Sequence, residues 1–355
     1  MSALPPQPSA PGVHKDPHPA DFYSPLYATV ALPKNFPLGA QGLVRDRETA
    51  RRLKEQANTA QTHRDYRKAV GLYQQALRYD PTYTDLWFNM AHTYISLGEA
   101  PSAILAFEEL LRIDPTDDEA RQNLAEQLQT EGLWTEAIEQ FDTLIKKSPR
   151  LDSAKRQRDY LALRLWATQS GLPLDTMVQR LGQANLQQAR LWATAFCTQT
   201  QRPDLLRAMT RVVCHFAPTQ KADNVPNLAE YRYHNTEPAI RFDPALAFGH
   251  PAVLAAYWIH EGMHALDNDP YTSVTEEQDG YRTKIEFWAW AKDYVSSSGQ
   301  EPMKDTNLDY SLGLWKQSPE TLDERVARHY RMRDPHIAAT SPNHPTAVAS
   351  PVPTP

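Results

Sequence analysis

The chain has little cysteine and no long apolar run. Its two cysteines among 355 residues, Cys197 and Cys214, form no Cys-x-x-Cys pair, which excludes a cysteine-rich zinc site. So few thiols are typical of a cytoplasmic protein with buried, reduced cysteines. No apolar run approaches the roughly 20 residues that span a bilayer, and residues 1–19 lack the apolar segment of a signal peptide. We therefore expect a cytoplasmic protein without a membrane partner.

An excess of positive charge is also absent. The 37 Lys and Arg against 43 Asp and Glu give a net charge of −6. Since no basic patch is interleaved with aromatic residues, nucleic acid is not an expected partner. Residues 1–45 and 334–355 are rich in proline, alanine and serine, and bury too little apolar surface to offset their ordering entropy. Both ends are therefore predicted to be largely disordered.

A repeat with a period of 34 residues occupies residues 50–151. The positions that keep this spacing are Pro81, Pro115 and Pro149, with Ala69, Ala103 and Ala137 and the aromatic Tyr73, Phe107 and Phe141. A small alanine lets two helices approach, the aromatic ring fills the gap beside it, and proline ends the second helix. The pattern resembles tetratricopeptide repeats, which implies an α-solenoid. With an amphipathic capping helix over residues 152–169, the predicted repeat domain covers residues 46–169.

The resemblance to tetratricopeptide repeats also implies a partner. Such arrays usually bind a protein or peptide segment on their concave face. Lys54, Asn58 and Asn89 stand where one subfamily grips a terminal carboxylate, but the other clamp positions hold Glu119 and Asn123 instead of basic residues. The resemblance therefore supports a protein or peptide partner without extending to the charge of a carboxylate clamp.

The pattern His-Glu-x-x-His occurs once, from His260 to His264, inside the apolar run 252–266. Histidines four residues apart lie on the same face of a helix and can reach one metal ion. Neutral imidazole is a favoured zinc ligand, and Glu261 can face a metal-bound water as a general base. The alternative is a metal-free pair of core histidines, since about a few per cent of chains of this composition contain the pattern by chance. Glu261 is the only charged side chain of this run. A carboxylate among apolar groups is unfavourable unless it is paired, protonated or near a cation, so Glu261 favours a metal site over a metal-free histidine pair.

Catalytic zinc needs a third protein ligand. A helix predicted over residues 275–295 returns after a short turn, so its first turn lies near His264. That turn contains Glu276 and Glu277. Ser273 and Glu276 fit a capping box, which gives Glu276 a structural role and leaves Glu277 as the preferred ligand. The alternatives are that Glu276 binds the metal, or that both carboxylates only favour the positive end of the helix.

Residues 238–242 alternate apolar and polar side chains, which predicts a half-exposed strand before the motif helix. Strand, motif helix and the following Glu277 together resemble the core of gluzincin metallopeptidases over residues 238–295. The resemblance implies that the strand edges a substrate cleft, that His260, His264 and Glu277 hold Zn²⁺, and that peptide bonds are hydrolysed.

Hydrolysis of an amide also requires a hydrogen-bond donor for the oxyanion. Tyr281 is the favoured candidate because it shares a helix face with Glu277, although the thermolysin-like branch has aspartate at this position. The other candidates are Tyr233, His234, His329 and Tyr330.

Two further residues of the motif helix carry expectations. Asp267, one turn beyond His264, is a candidate for a carboxylate that supports a histidine ligand. Gly262 weakens the helix by about 1 kcal/mol relative to alanine, which indicates close approach of another backbone or of substrate.

These observations predict a mainly α protein. The tetratricopeptide solenoid would be followed by a small α+β zincin-like domain over residues 170–333, in which residues 173–216 form further helices. The predicted function is that of a zinc-dependent metallopeptidase. The alternative is a repeat scaffold that carries a catalytically silent zincin-like domain, but Glu261 favours the enzyme, since a structural metal has no use for a base.

Overall fold

The computed structural model describes residues 46–219, 221–222, 225–226, 228–233, 237–267, 272–333 and 339. The segments predicted to be disordered, 1–45 and 334–355, lie outside these residues except for Ala339. The described chain is mainly α-helical, as predicted. It forms two compact units, one ending at Ala106 and one beginning at Phe107. No helix in the described ranges is both long enough and apolar enough to cross a membrane.

The first unit consists of paired helices. They are α1 (Arg47–Thr62), α2 (Tyr66–Tyr79), α3 (Thr84–Leu97) and the beginning of α4 (Ala100–Ile113). Residues of the 34-residue pattern form its core, since Ala69, Tyr73 and Ala103 are fully buried. Gly98 ends α3 with φ 72°, a left-handed conformation that glycine adopts without strain. The periodicity therefore predicted the helix pairs correctly.

The second unit continues the repeat with α5 (Asp118–Thr130), α6 (Trp134–Lys147) and α7 (Asp152–Ser170). Ala137 and Phe141 of α6 are buried, as their counterparts Ala69 and Tyr73 are. The predicted capping helix over residues 152–169 is confirmed as α7.

The rest of the second unit contains both helices and strands. In chain order these are α8 (Leu174–Gln199), α9 (Pro203–Arg211), β1 (Val213–Phe216), β2 (Lys221–Ala222), β3 (Val225–Pro226), β4 (Ala229–Arg232), β5 (Ala239–Phe242), a 3₁₀ turn (Pro244–Ala247), α10 (Pro251–Asp267), α11 (Val274–Ser297), α12 (Thr306–Gln317) and α13 (Pro319–Arg333).

A three-stranded sheet with the order β1-β5-β4 precedes the motif helix. Strand β5 confirms the prediction for residues 238–242. It runs parallel to β1, with Val213 opposite Ala239, and antiparallel to β4, with Tyr231 opposite Ile240. The prediction that this strand edges the cleft was wrong, because β5 is paired on both sides and the edge strands of the sheet are β1 and β4. Alternating side chains report which face is buried, but not which neighbours a strand has.

The prediction that helix continues to Phe216 was also wrong. Helix α9 ends at Arg211, and residues 213–216 form strand β1. Val212 and Val213 are β-branched and favour extended backbone, and Cys214 and Phe216 alternate as buried residues with exposed neighbours.

Helix α10 contains the motif and is buried from Ala252 to Gly262. It packs against α8, α9 and α11. The capping box at the start of α11 is confirmed: the backbone N–H of Ser273 donates to Glu276 Oε2 at 2.5 Å, and that of Glu276 donates to Ser273 Oγ at 3.2 Å. The short connection from α10 places the first turn of α11 beside the end of α10.

Candidate metal centre

Three side chains from α10 and α11 converge on one point. The rings of His260 and His264 lie one helical turn apart, with centroids separated by 5.3 Å. Glu277 faces both rings, since its Oε2 is 3.4 Å from His260 Nε2 and its Oε1 is 3.6 Å from His264 Nε2. One ligand atom from each residue lies within 4.8 Å of the others. Across the described ranges, no other group of three His, Cys, Asp or Glu side chains has this spacing.

The buried polar atoms of this cluster fit a cation. Glu277 is 6% exposed, and its Oε2 has no hydrogen-bond partner among the described residues. A buried carboxylate oxygen without a partner is unfavourable, and a metal ion between it and the imidazole nitrogens would satisfy it. Two imidazoles and a carboxylate are also a donor set that zinc accepts.

The electrostatics of the cluster favour a positive charge. Burial raises the pKa of Glu277, but the neighbouring His264 and His260 outweigh it and lower that pKa to about 2. Burial lowers the pKa of His264, but the carboxylates of Glu277 and Glu261 raise it overall. The carboxylate is therefore held ionised beside the histidines.

Glu261 lies between His260 and the edge strand β4. Its Oε2 accepts a hydrogen bond of 2.6 Å from the backbone N–H of Tyr231 on β4, and its Oε1 is 3.9 Å from His260 Nε2. The Glu261 side chain is thus placed between the backbone of β4 and the His260 ring. Strand β4 was missed in the sequence, although Glu230-Tyr231-Arg232-Tyr233 alternates in the manner of a strand.

Tyr281 lies beside the first ligand. Its ring meets that of His260 edge-on, with centroids 4.9 Å apart. Tyr330 on α13 is also near the cluster, since burial and the charge of Glu277 raise the pKa of its hydroxyl well above the usual value. Of the other candidate donors, Tyr233 follows directly after β4 and is 36% exposed, and the ring of His329 packs edge-on against that of Tyr330. His234 lies outside the described residues.

A buried lysine that sequence reasoning missed lies next to Tyr281. The Nζ of Lys284 is 3.7 Å from the centroid of the Tyr281 ring and 5.2 Å from that of Tyr257. Burial lowers the pKa of Lys284 to about 8, although Glu261 and Glu277 oppose the shift. Its position seven residues after Glu277 places it on the same helix face, which is the signal that could have revealed it.

The two other expectations for α10 have different outcomes. A Cβ on Gly262 would lie 2.3 Å from Met209 Cγ. The close neighbour of this glycine is therefore a side chain of α9, rather than the backbone or substrate that was expected. Burial raises the pKa of Glu276 to about 7, and the nearby Asp267 contributes to this shift and to the raised pKa of His264. That Asp267 supports a histidine ligand stays a prediction.

Gly280 leaves room for the imidazole of His260. A Cβ at this residue would lie 2.7 Å from His260 Nδ1, closer than real Cβ contacts allow. We expect Gly280→Ala to displace the imidazole and to weaken zinc binding, measured by competition with a chromophoric chelator. Gly313→Ala is the matched control, because a Cβ there meets nothing within 4 Å. The control should retain zinc affinity and gain about 0.4–1 kcal/mol in stability. Equal zinc affinity in both variants would show that the contact with Gly280 does not position His260.

Comparison with known proteins identifies the repeats. Residues 54–118 match the family model of the tetratricopeptide repeat. The chain contains tetratricopeptide repeats. None of the curated proteins that were compared is significantly similar to the chain.

Several solved tetratricopeptide structures are similar to the chain. The first tetratricopeptide domain of Spaghetti (RPAP3), solved with the HSP90 peptide SRMEEVD, is 19% identical, with a TM-score of 0.32, over 35% of this chain and 98% of that domain. The Sgt2 domain from Aspergillus fumigatus is 24% identical, with a TM-score of 0.30, over 34% and 82%. A tetratricopeptide repeat protein from Parabacteroides merdae ATCC 43184 is 13% identical, with a TM-score of 0.32, over 79% and 93%.

In the first unit, the tetratricopeptide residues at the clamp positions are already engaged. Lys54 Nζ lies 2.7 Å from Asp85 Oδ2. The amide oxygen of Asn58 accepts hydrogen bonds from the Tyr73 hydroxyl at 2.6 Å and from Asn89 Nδ2 at 3.3 Å. The charge of Lys54 is therefore neutralised within the protein.

Proposed function

We propose that the tetratricopeptide repeats bind a protein or peptide partner, and that the second unit contains a zinc-dependent, metallopeptidase-like centre. The match of residues 54–118 to the repeat family supports the first part. A partner that depends on a terminal carboxylate is disfavoured, since Asp85 pairs with the lysine that would bind it. Both cysteines are free and buried, which fits the cytoplasmic location that we propose.

One observation carries the second part of the proposal. His260, His264 and Glu277 meet within 4.8 Å in a buried position, and Glu277 offers an oxygen without another partner. We assign the elements from α8 to α13 to a small α+β zincin-like domain, because the order of strand β5, motif helix and ligand helix resembles that fold. Three protein ligands leave a coordination position open for water, as catalytic zinc sites do.

In this centre, bound zinc supplies a Lewis acid and a water of lowered pKa. Glu261 takes a proton from the attacking water, and the bond to the amide carbon forms. The same carboxyl group then returns the proton to the leaving nitrogen as the peptide bond breaks. The N–H of Tyr231 holds Glu261 for this role, and Tyr281 is the proposed donor to the oxyanion.

A repeat scaffold with a catalytically silent second domain is the second candidate. It is favoured by the family match, which concerns the repeats alone. The buried Glu261 beside His260 favours hydrolysis, because a structural metal site needs no base.

Two measurements test the proposed zinc centre. One is the amount of zinc bound per chain, and the other is the effect of replacing each of two neighbouring glutamates. The unaltered chain should bind about one zinc ion, and His264→Ala should lose it, because two remaining ligands bind weakly. Glu277→Gln should lower zinc occupancy sharply in elemental analysis. Glu276→Gln should retain zinc at little cost in stability, because its amide oxygen can still accept the hydrogen bond from the Ser273 N–H.

Two results would contradict this assignment. Unaltered protein prepared without chelators that contains no transition metal would refute the zinc centre. Loss of zinc in Glu276→Gln with retention in Glu277→Gln would make Glu276 the ligand.

A further inference from the structure

Three aromatic side chains form a surface cluster between α8 and α11. Trp290 and Tyr294 of α11 stack, with ring centroids 5.7 Å apart and an angle of 26° between the ring planes. Trp192 of α8 stands nearly perpendicular to both, with its centroid 6.2 Å from that of Trp290 and 5.7 Å from that of Tyr294. Tyr294 is 60% exposed, and both tryptophans are partly exposed. We call Trp192, Trp290 and Tyr294 the aromatic platform.

The platform is supported by the core beneath it. The ring of Trp290 packs on the buried rings of Phe196 and Phe287, at centroid distances of 5.7 and 5.8 Å. Its Nε1 donates a hydrogen bond of 2.8 Å to Gln199 Oε1, which fixes the orientation of the indole. A segment that binds the platform therefore meets a surface whose shape is already set, and little entropy is lost in ordering these rings.

The arrangement of the rings favours a particular kind of occupant. Two stacked rings beside a perpendicular one form an apolar corner. Proline-rich segments bind grooves lined by aromatic rings, because their extended polyproline II conformation is largely set before binding. A charged segment would lose hydration there without gaining a counter-charge from the rings of the platform. The platform thus fits an uncharged, proline-rich segment.

The sequence beyond Ala339 has this composition. Residues 340–355 contain no Asp, Glu, Lys or Arg. Their prolines are Pro342, Pro345, Pro351, Pro353 and Pro355. Residues 1–45 are also rich in proline, but they contain charged residues of both signs. Of the two proline-rich segments, 340–355 is therefore the better match to the platform.

Ala339 is attached to the beginning of the helix that carries the platform. Its carbonyl oxygen accepts hydrogen bonds from the backbone N–H of Thr275 at 3.1 Å and from the Thr275 hydroxyl at 2.7 Å. Trp290 follows Thr275 by 15 residues, hence lies about 22 Å further along α11 and about 60° around its axis. A polyproline II segment advances about 3.1 Å per residue, so about eight residues beyond Ala339 span that distance. Residues 351–355 are therefore within reach of the platform.

We propose that residues 340–355 run back along α11 and that Pro351, Pro353 and Pro355 pack on the aromatic platform. The hydrogen bonds of Ala339 keep the segment near the platform at an effective concentration on the order of millimolar, so even a weak contact is sufficient. A separate partner of the same composition lacks this advantage. Such docking requires no packed core within the segment, so it agrees with the low apolar content of residues 334–355. The inference is independent of the zinc centre.

The test compares two tyrosines of the full chain. Tyr294 and Tyr310 are similarly exposed, at 60% and 57%, and only Tyr294 belongs to the platform. Their acetylation by N-acetylimidazole is followed by mass spectrometry of the digested protein. Replacing Pro351, Pro353 and Pro355 together by alanine should raise the rate at Tyr294 relative to Tyr310 by at least about twofold, the change expected if at least half of the segments are bound.

A second variant is the control within the same segment. Pro342→Ala/Pro345→Ala changes two prolines that lie too close to Ala339 to reach Trp290, and should leave the ratio of the two rates unchanged. Dilution of the unaltered chain should also leave it unchanged, since the contact lies within one molecule.

Two results would overturn the inference. An unchanged ratio in the variant of Pro351, Pro353 and Pro355 would show that these prolines do not cover the platform. A ratio that rises when the unaltered chain is diluted would assign the covering segment to a second copy of the chain. A ratio that is independent of concentration and rises only in the variant of the three prolines supports docking within one chain.

Discussion

Glu261→Gln is expected to lower peptide hydrolysis by about 10²–10⁴-fold, the range typical of lost general-base catalysis. Zinc and fold should survive, because Glu261 is not one of the three converging residues proposed to bind zinc. The variant retains an amide oxygen that can accept the hydrogen bond from the Tyr231 N–H, which is 2.6 Å from the carboxylate in the unaltered chain. It loses the basic oxygen near His260. Turnover of mixed peptides and of unfolded protein should be measured on zinc-loaded samples.

The control for Glu261→Gln is the same substitution at Glu286. This residue lies on the outer part of α11, where it pairs with Arg202 at 2.7 Å. Glu286→Gln should retain full turnover. Equal turnover by unaltered protein and Glu261→Gln would assign the activity to another base or to a contaminant. Absence of turnover in both, with zinc bound, would favour the repeat scaffold over the enzyme.

Local patterns predicted much of the candidate centre. The four-residue spacing of His260 and His264 places both rings on one face of any helix, whatever surrounds it. The capping box from Ser273 to Glu276 is equally local. It gives Glu276 a structural role and so distinguishes it from Glu277 without any tertiary contact. The structure brings Glu277 to the histidines, and zinc itself stays a prediction. The repeat could be predicted from the sequence for a similar reason, because each helix pair makes the same contacts with its neighbours.

Contacts between distant segments could not be predicted in this way. The N–H of Tyr231 donates to Glu261 across 30 residues of sequence, and Arg282 of α11 donates to Asp323 of α13 across 41. Neither contact depends on the periodicity of one element. The position of β5 in the middle of the sheet was missed for the same reason, since a partner strand leaves no mark on the alternation of side chains.

A buried ion network joins the capping helix of the repeats to the motif helix. Arg156 of α7 is 2% exposed and pairs with Asp305, which caps α12, and with Asp152 Oδ2 at 3.3 Å. The other oxygen of Asp152 accepts the backbone N–H of His250 at 2.7 Å, directly before α10. A Cβ on Gly249 would lie 2.9 Å from Asp152 Oδ2, so this approach requires glycine.

Arg156→Met is therefore expected to destabilise the second unit by about 3–5 kcal/mol, because two buried carboxylates lose their counter-ion. Arg158→Met is the control on the same helix, since Arg158 is 34% exposed and pairs with surface carboxylates. Its loss should stay within about 1 kcal/mol. Both are measured by denaturant unfolding followed through tryptophan fluorescence.

A double variant separates the charge from the packing of Arg156. Asp305→Asn keeps an oxygen that can accept the N–H of Leu308 while removing one unpaired charge, so Arg156→Met/Asp305→Asn should regain part of the stability. Similar losses in Arg156→Met and Arg158→Met would show that the buried network contributes no more than a surface pair. A large loss of stability in Arg156→Met that Asp305→Asn partly reverses would instead mean that α7 and α10 are both stabilised by the same buried ion network. In that case a fragment that ends after α7 would leave Arg156 without Asp305, and the repeats would need the second half of the chain to complete their own capping helix.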